Sequence, residues 1–264
     1  MSIIHSTMRT AFEHTIMSSS RCIIPGDRAF STRSITSLID ITDAVKEVYF
    51  HPNTLWAHAR GGKGQHVLTD NGACRTSVEH VLDRIGNRIH QYFNGVPNVS
   101  NTQSGFDDFH KSLCHDFLNG INTIRTDVGY TPLSYGQAQK LINLSFKYIS
   151  CFSDYLSFAD LFEKCHIIID NKVLTNLGRS KLSVIFGTNL NDKIQGLSGG
   201  TFHTHGWTDF SETDYDMLVA EYRRVIGPYM GNLSYIALEY SMWPTIGLVN
   251  TTDPLPAPIP GFHV

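Results

Sequence analysis

The stretch TPLSYGQAQKLINLSFKYIS, residues 131–150, opens as a turn and continues as a helix. Pro132 and Gly136 punctuate its entrance, as residues that fix or free the backbone do at turns. Counting 3.6 residues per turn from Gly136, the residues Lys140, Asn143 and Lys147 follow on one polar stripe. Leu141, Ile142, Ser145 and Ile149 fall opposite, and Leu144, Phe146 and Tyr148 widen the apolar face. The prediction is a turn or hairpin feeding a helix, with a lysine in the helix's first turns. The polar residues are Gln, Asn and Lys, with no acid among them. A solvated helix face normally carries Glu and paired charges. An acid-free stripe beside helix N–H groups also suits a phosphate or another polar ligand. Both readings expect the stripe at the surface.

Similar periodicity recurs outward from this segment. Residues 74–93 place Val78, Val81, Leu82, Ile85 and Ile89 on one face. Residues 104–121 do so with Phe106, Phe109, Leu113 and Phe117, with Ser104 as the expected N-cap. Residues 211–230 begin with a cap-like Ser211 and an acidic first turn, which the helix dipole favours. A further helix is expected over 232–243, stopped by Pro244. Strand-like sequence is limited to the short 181–188 segment, while 60–73 and 195–206 read as loops. The expected class is mainly α: a compact helical fold with little sheet. It forms a single unit over 1–264, with room for two lobes about a cleft near 131–175 and an extended Pro-rich tail at 251–264.

Composition narrows the function classes. Hydrophobic residues make up 41% and charged residues 17%, which is globular and not disordered composition. No apolar run approaches the roughly 18 residues of a membrane span, so a soluble chain without a membrane partner is expected. There are 21 Lys and Arg against 24 Asp and Glu, a net charge of −3. A nucleic-acid role therefore needs a local basic surface. The five cysteines form no CxxC pair, which suits a reducing, cytoplasmic setting. The Ser/Thr- and Arg-containing first thirty residues superficially resemble a transit peptide, but Glu13 and the lack of a cleavage pattern read as part of the fold.

The second chemical motif is KCHIIIDNKVL, residues 164–174. Ile167, Ile168 and Ile169 deliver Asp170, with His166 before it and Lys172 after it. An acid in that place is either a helix N-cap or a half-buried carboxylate of the kind that catalysis uses as a base or electrostatic stabiliser.

Together, the turn–helix with Lys140 and the apolar run ending at Asp170 resemble the helix-hairpin-helix DNA glycosylases, the superfamily of 8-oxoguanine and endonuclease-III-like enzymes. The resemblance spans about residues 130–175. It departs from the usual pattern in having one glycine in the turn, Lys140 four residues beyond that glycine, and isoleucine where a proline commonly precedes the aspartate. The resemblance implies a DNA partner, no cofactor and excision of a damaged or modified base flipped from the duplex. It implies that Asp170 stabilises the sugar cation and that Lys140 attacks C1′ or positions charge. Gly136, Gln137, Gln139, Asn143 and Lys147 would contact the DNA backbone or the base, with His166 and Lys172 nearby. A repair role, or a defence role against phage with modified genomes, follows from such an activity.

Other constellations stand beside these. His203 and His205, flanked by Phe202 and Trp207, form an H-x-H. These four residues suit the wall of a base pocket, where aromatics stack and imidazoles read an edge. On a strand the two histidines would share a face and suit zinc, with His166 or Asp209 as a third ligand. Without a longer metal motif, no metal is expected. His110 and Cys114 share a helix face at i+4, as a thiol–imidazole pair would. Arg75 and His80 have an R-x4-H spacing, as in HEPN ribonucleases. The alternative to a glycosylase is a non-catalytic helical ligand-binding or interaction protein, and after it a HEPN-like ribonuclease. No protein partner is expected.

Overall fold

The computed structural model describes residues 32–50, 72–95, 101–170, 207–230 and 235–236. Among these, every regular element is helical. In chain order they are α1 (Leu38–Phe50), α2 (Gly72–Phe93), α3 (Gln103–Asp127), α4 (Tyr135–Ile149), a 3-10 turn at Tyr155–Phe158, the single turn α5 (Ala159–Phe162), a second 3-10 turn at Trp207–Asp209, and α6 (Glu212–Met230). The mainly α class expected from periodicity is the observed one. The first thirty residues, the 195–206 loop, the 181–188 strand and the Pro-rich tail lie outside the described residues, as do residues 60–71 of the expected 60–73 loop and most of the 232–243 helix; Gly72 and Ala73 instead open α2.

α1 packs on α2 and α4, α2 on α3, and α3 on α4, while α6 and the Trp207–Asp209 turn close over the remaining side of α4. α4 is thus the central helix, and 12 of its 15 residues are buried. A helix buried on every side gains its stability from packing, whatever its own pattern says. The core around it is rich in aromatics. Tyr92 stacks on Phe109 with centroids 5.2 Å apart, and Phe106, Phe146, Phe93 and Phe162 continue the cluster.

Cap chemistry sets the helix ends. α3 is capped by the Thr102 hydroxyl accepting from Gly105 N–H, two residues before the expected Ser104. It stops at Gly129, whose φ of 79° is a left-handed value that glycine adopts at little cost. The connection to α4 is held by Asn122, which donates to Leu133 C=O (3.0 Å) and accepts from Leu133 N–H (2.6 Å). α4 then opens with a capping box: Ser134 Oγ accepts from Gln137 N–H, and the Gln137 side chain accepts from Ser134 N–H. The turn-then-helix reading of 131–150 matches this local structure. At the other end of the chain order, Ser34 and Ile35 dock on Asp154 through bonds of 2.7 and 3.0 Å.

α1 has no counterpart among the helices expected from sequence. Its core residues Ile41, Val45 and Val48 do keep helical spacing. The many β-branched residues around them lower its intrinsic helix preference and blur the pattern.

Candidate functional site: a lysine–aspartate pair on a clamped segment

The polar stripe of α4 is not a surface. Gln139 is 0% exposed, Asn143 1%, Lys140 7% and Lys147 8%. The expectation that these residues face solvent or a ligand is corrected by the position of α4 at the centre of the bundle. Their polarity is met from within the protein.

Gln139 uses its carboxamide completely. Its Nε2 donates to Gly136 C=O (2.8 Å) and Ile169 C=O (2.7 Å), and its Oε1 accepts from Ile169 N–H (3.3 Å) and Asn143 Nδ2 (3.0 Å). Asn143, one turn on, directs Nδ2 at Ile167 C=O (2.8 Å) and the Tyr215 hydroxyl (3.0 Å), and its Oδ1 accepts from His110 Nε2 (2.8 Å). Two amides at i and i+4 therefore hold the main chain of the Ile167–Ile169 run, which is buried and lies outside any regular element.

That clamped segment carries Asp170 to Lys140. Their Nζ and Oδ2 are 3.7 Å apart, with the side chains 9% and 12% exposed. The Lys140 ammonium also lies over the Trp207 ring, 4.7 Å from its centroid, a cation–π arrangement. Trp207 is fully buried. Its place is set by the close approach of its turn to α4. Gly136 N–H donates to Phe210 C=O at 3.0 Å, Ser134 Oγ donates to Thr208 C=O, and a Cβ on Gly136 would meet Trp207 C=O at 1.9 Å.

This docking has a consequence for the helix N-terminus. The N–H groups of Gly136 and Gln137 are spent on Phe210 C=O and Ser134 Oγ, and the Gln137 side chain is spent on Ser134 N–H. The expected backbone grip at the start of α4 finds these groups already bonded to protein. The turn glycine serves close packing against residues 207–210.

A second polar layer lies behind the clamp. Arg223 from α6 grips Asp107 from α3 with two bonds, 2.6 and 2.7 Å, and Gln103 adds a third donor at 2.9 Å. Asp107 Oδ1 also meets His166 Nε2 at 2.9 Å, and His166 Nδ1 meets the Tyr215 hydroxyl at 2.8 Å. Burial pushes the Asp107 carboxyl up, but the bonds from His166, Arg223 and Gln103 outweigh it and hold it well below the ordinary range. A carboxylate accepts, so His166 carries its proton on Nε2 and Tyr215 donates to Nδ1. Burial, assisted by Arg223 and opposed by Asp107, holds His166 below its ordinary value. His110, whose ring centroid is 4.3 Å from that of His166, is held well below by burial and by His166. Both imidazoles are neutral near pH 7, and a hydrogen-bonded line runs Arg223–Asp107–His166–Tyr215–Asn143.

The remaining candidates fall as follows. His166 has both ring nitrogens engaged within this line and not at Lys140. Lys147 is buried toward the end of α4. Lys172, Phe202, His203 and His205 lie outside the described residues. Cys114 lies 3.9 Å from His110, but burial pushes its thiol well above its ordinary value, so the pair is not a thiolate–imidazolium nucleophile. Arg75 is exposed, pairs with Glu79 at 2.9 Å and lies over Phe50. Among the described residues no group of three His, Cys, Asp or Glu forms a metal-ligand cluster, and no helix is long and apolar enough to cross a membrane. Asp107, Tyr215 and Arg223 carry no local sequence signal; their association comes from the packing of α3 and α6 alone.

Comparison with protein-family models, with curated proteins and with solved structures finds no match.

Proposed function

We propose that the chain is a DNA N-glycosylase that removes a damaged or modified base, acting in the cytoplasm. The observation that supports the reading is the Lys140–Asp170 pair, two residues 30 apart (170 − 140) that come within 3.7 Å at the end of a rigidly held segment. In this reading the C1′–N bond breaks with its electron pair leaving on the base. Water forms the new bond at C1′, and its proton passes to the departing base. Asp170 stabilises the positive charge that grows on the sugar, the kind of fixed charge that contributes most to such a barrier. Lys140, held by Asp170 and Trp207, is a positioned cation, and the product is an intact abasic site. Lys172, Phe202, His203 and His205 are the candidates for contact with the base.

The test is to incubate the protein with a panel of damaged and hypermodified DNAs and to look for released base by mass spectrometry. Asp170→Asn should retain the fold and lower release by orders of magnitude. Borohydride added during turnover should trap no adduct. A covalent protein–DNA species that vanishes in Lys140→Ala would replace the water mechanism with Schiff-base chemistry. One observation favours a second reading, a helical binding protein without catalysis: the Gly136 and Gln137 N–H groups in the first turn of α4 are bonded internally. Absence of base release from every DNA, with Asp170→Asn altering only the melting temperature, would select it.

A further inference from the structure

We infer that Gln139 and Asn143 are positioning residues, which set the Asp170 carboxylate against Lys140 through the main chain of Ile167 and Ile169. The inference deepens the proposed glycosylase reading, in which the pair is the reacting site. It also separates these two amides from the DNA-contacting role that the glycosylase resemblance implies for them.

Three observations carry it. First, each carboxamide is buried and spends both its oxygen and its nitrogen on protein, so neither has a group to offer a ligand. Second, the spacings match. Residues four apart on a helix rise about 6 Å, and residues two apart in an extended chain advance about 6.6 Å. Asn143 takes Ile167 and Gln139 takes Ile169, so the segment runs antiparallel to α4 in one fixed register. Asp170 then arrives beside the first turns of the helix, where Lys140 is. Third, Gln139 binds Ile169 at both its C=O and its N–H, which fixes the peptide immediately before Asp170. A slip of one residue would move the carboxylate by about 3.3 Å, enough to break a contact of 3.7 Å. The rest of the polar line supports the clamp from behind: Tyr215 accepts from Asn143 and donates to His166, which is anchored by Asp107 and Arg223.

The test is a double-mutant cycle on the full chain. The coupling between Lys140→Met and Asp170→Asn is read as the non-additive shift in the urea midpoint, first with Gln139 present and then in a Gln139→Met background. The expected result is a coupling that falls by at least half in the Gln139→Met chain. A coupling of unchanged size, with stability simply lowered, overturns the inference, because a merely structural glutamine moves the midpoint but not the cycle. A second measurement covers a Gln139→Met chain that does not fold. Amide hydrogen exchange in the unaltered protein should show Ile169 N–H protected as strongly as the amides in the middle of α4, and exchange at the rate of an open chain overturns the clamp. On a DNA that releases a base, Gln139→Met should lower kcat at least tenfold and leave KM unchanged. The two proposals fail separately. A halved coupling with no base release from any DNA keeps the positioning role and removes the glycosylase. Asp170-dependent base release with an intact coupling removes the positioning role alone.

Discussion

Gly136→Ala places opposing forces on one methyl group. The residue lies in the first turn of α4, where helix propensity favours alanine over glycine by up to about 1 kcal/mol. On local grounds the substitution stabilises. The packing says the reverse, because the new Cβ would lie 1.9 Å from Trp207 C=O and 3.1 Å from Phe210 Cβ. The clashing atom is main chain, so no side-chain rotation relieves it, and the 207–210 turn has to retreat by about 1.5 Å to restore a normal contact. Overpacking of this kind costs about 1–3 kcal/mol. The retreat also stretches the Gly136 N–H to Phe210 C=O bond and the Ser134 Oγ to Thr208 C=O bond, each contributing about 0.5–1.5 kcal/mol. Setting the propensity gain against these losses, the expected net effect is a destabilisation of about 2 kcal/mol. Urea unfolding followed by far-UV circular dichroism measures it as a lower midpoint with an unchanged slope. In the proposed glycosylase reading, base release should fall as well, because the retreat takes the Trp207 ring from beneath Lys140. A Gly136→Ala chain as stable as the parent, or more stable, refutes the close docking of the turn, since propensity alone predicts that result.

The buried histidines make stability depend on pH. His110 and His166 are held below their ordinary value by burial, while the unfolded chain takes up their protons near pH 6.5. Their folded-state preference for neutrality costs nothing above that pH, and stability falls as pH drops below about 6.5 toward the lower folded-state values. Urea midpoints measured between about pH 7.5 and 5 should decline, and a flat profile sinks the assignment of neutral imidazoles. Asp107→Asn should keep one oxygen for Arg223 and turn its amide toward His166. The His166 proton then moves to Nδ1, which imidazole nitrogen-15 shifts detect; an unchanged tautomer shows that Asp107 does not orient the ring.

Periodicity located four helices because their apolar faces repeat at the spacing of the core they enter: Val78 through Ile89, Phe106 through Phe117, the 135–149 stretch and the residues after Ser211. It failed on the polar side of α4. Gln139, Asn143 and Lys140 look like solvent-facing residues because pattern reading judges a helix by its own sequence. Their partners are the main chain of Ile167 and Ile169, Tyr215, His110 and Asp170, all supplied by other elements. The Lys140–Asp170 association was legible through the family resemblance and not through spacing. The Asp107–Arg223 anchor was not legible at all, since an Asp in FDDF and an Arg after Tyr222 have no pattern linking α3 to α6.

The docking of Thr208 on Ser134 spans 74 residues, and this distance has a bearing on biosynthesis. At about 5–20 residues per second, the ribosome completes α4 several seconds before it makes the tryptophan that covers Lys140. Once α4 has left the ribosome, and until residue 207 follows it, Lys140 lacks the indole that covers it in the finished protein. Asp170 and its isoleucines are translated midway, so the clamp can close first and the indole last. Ribosome-bound chains stalled with Trp207 inside the exit tunnel and with it well outside should then differ in how readily Lys140 is acylated, which gives the order of assembly an experimental handle.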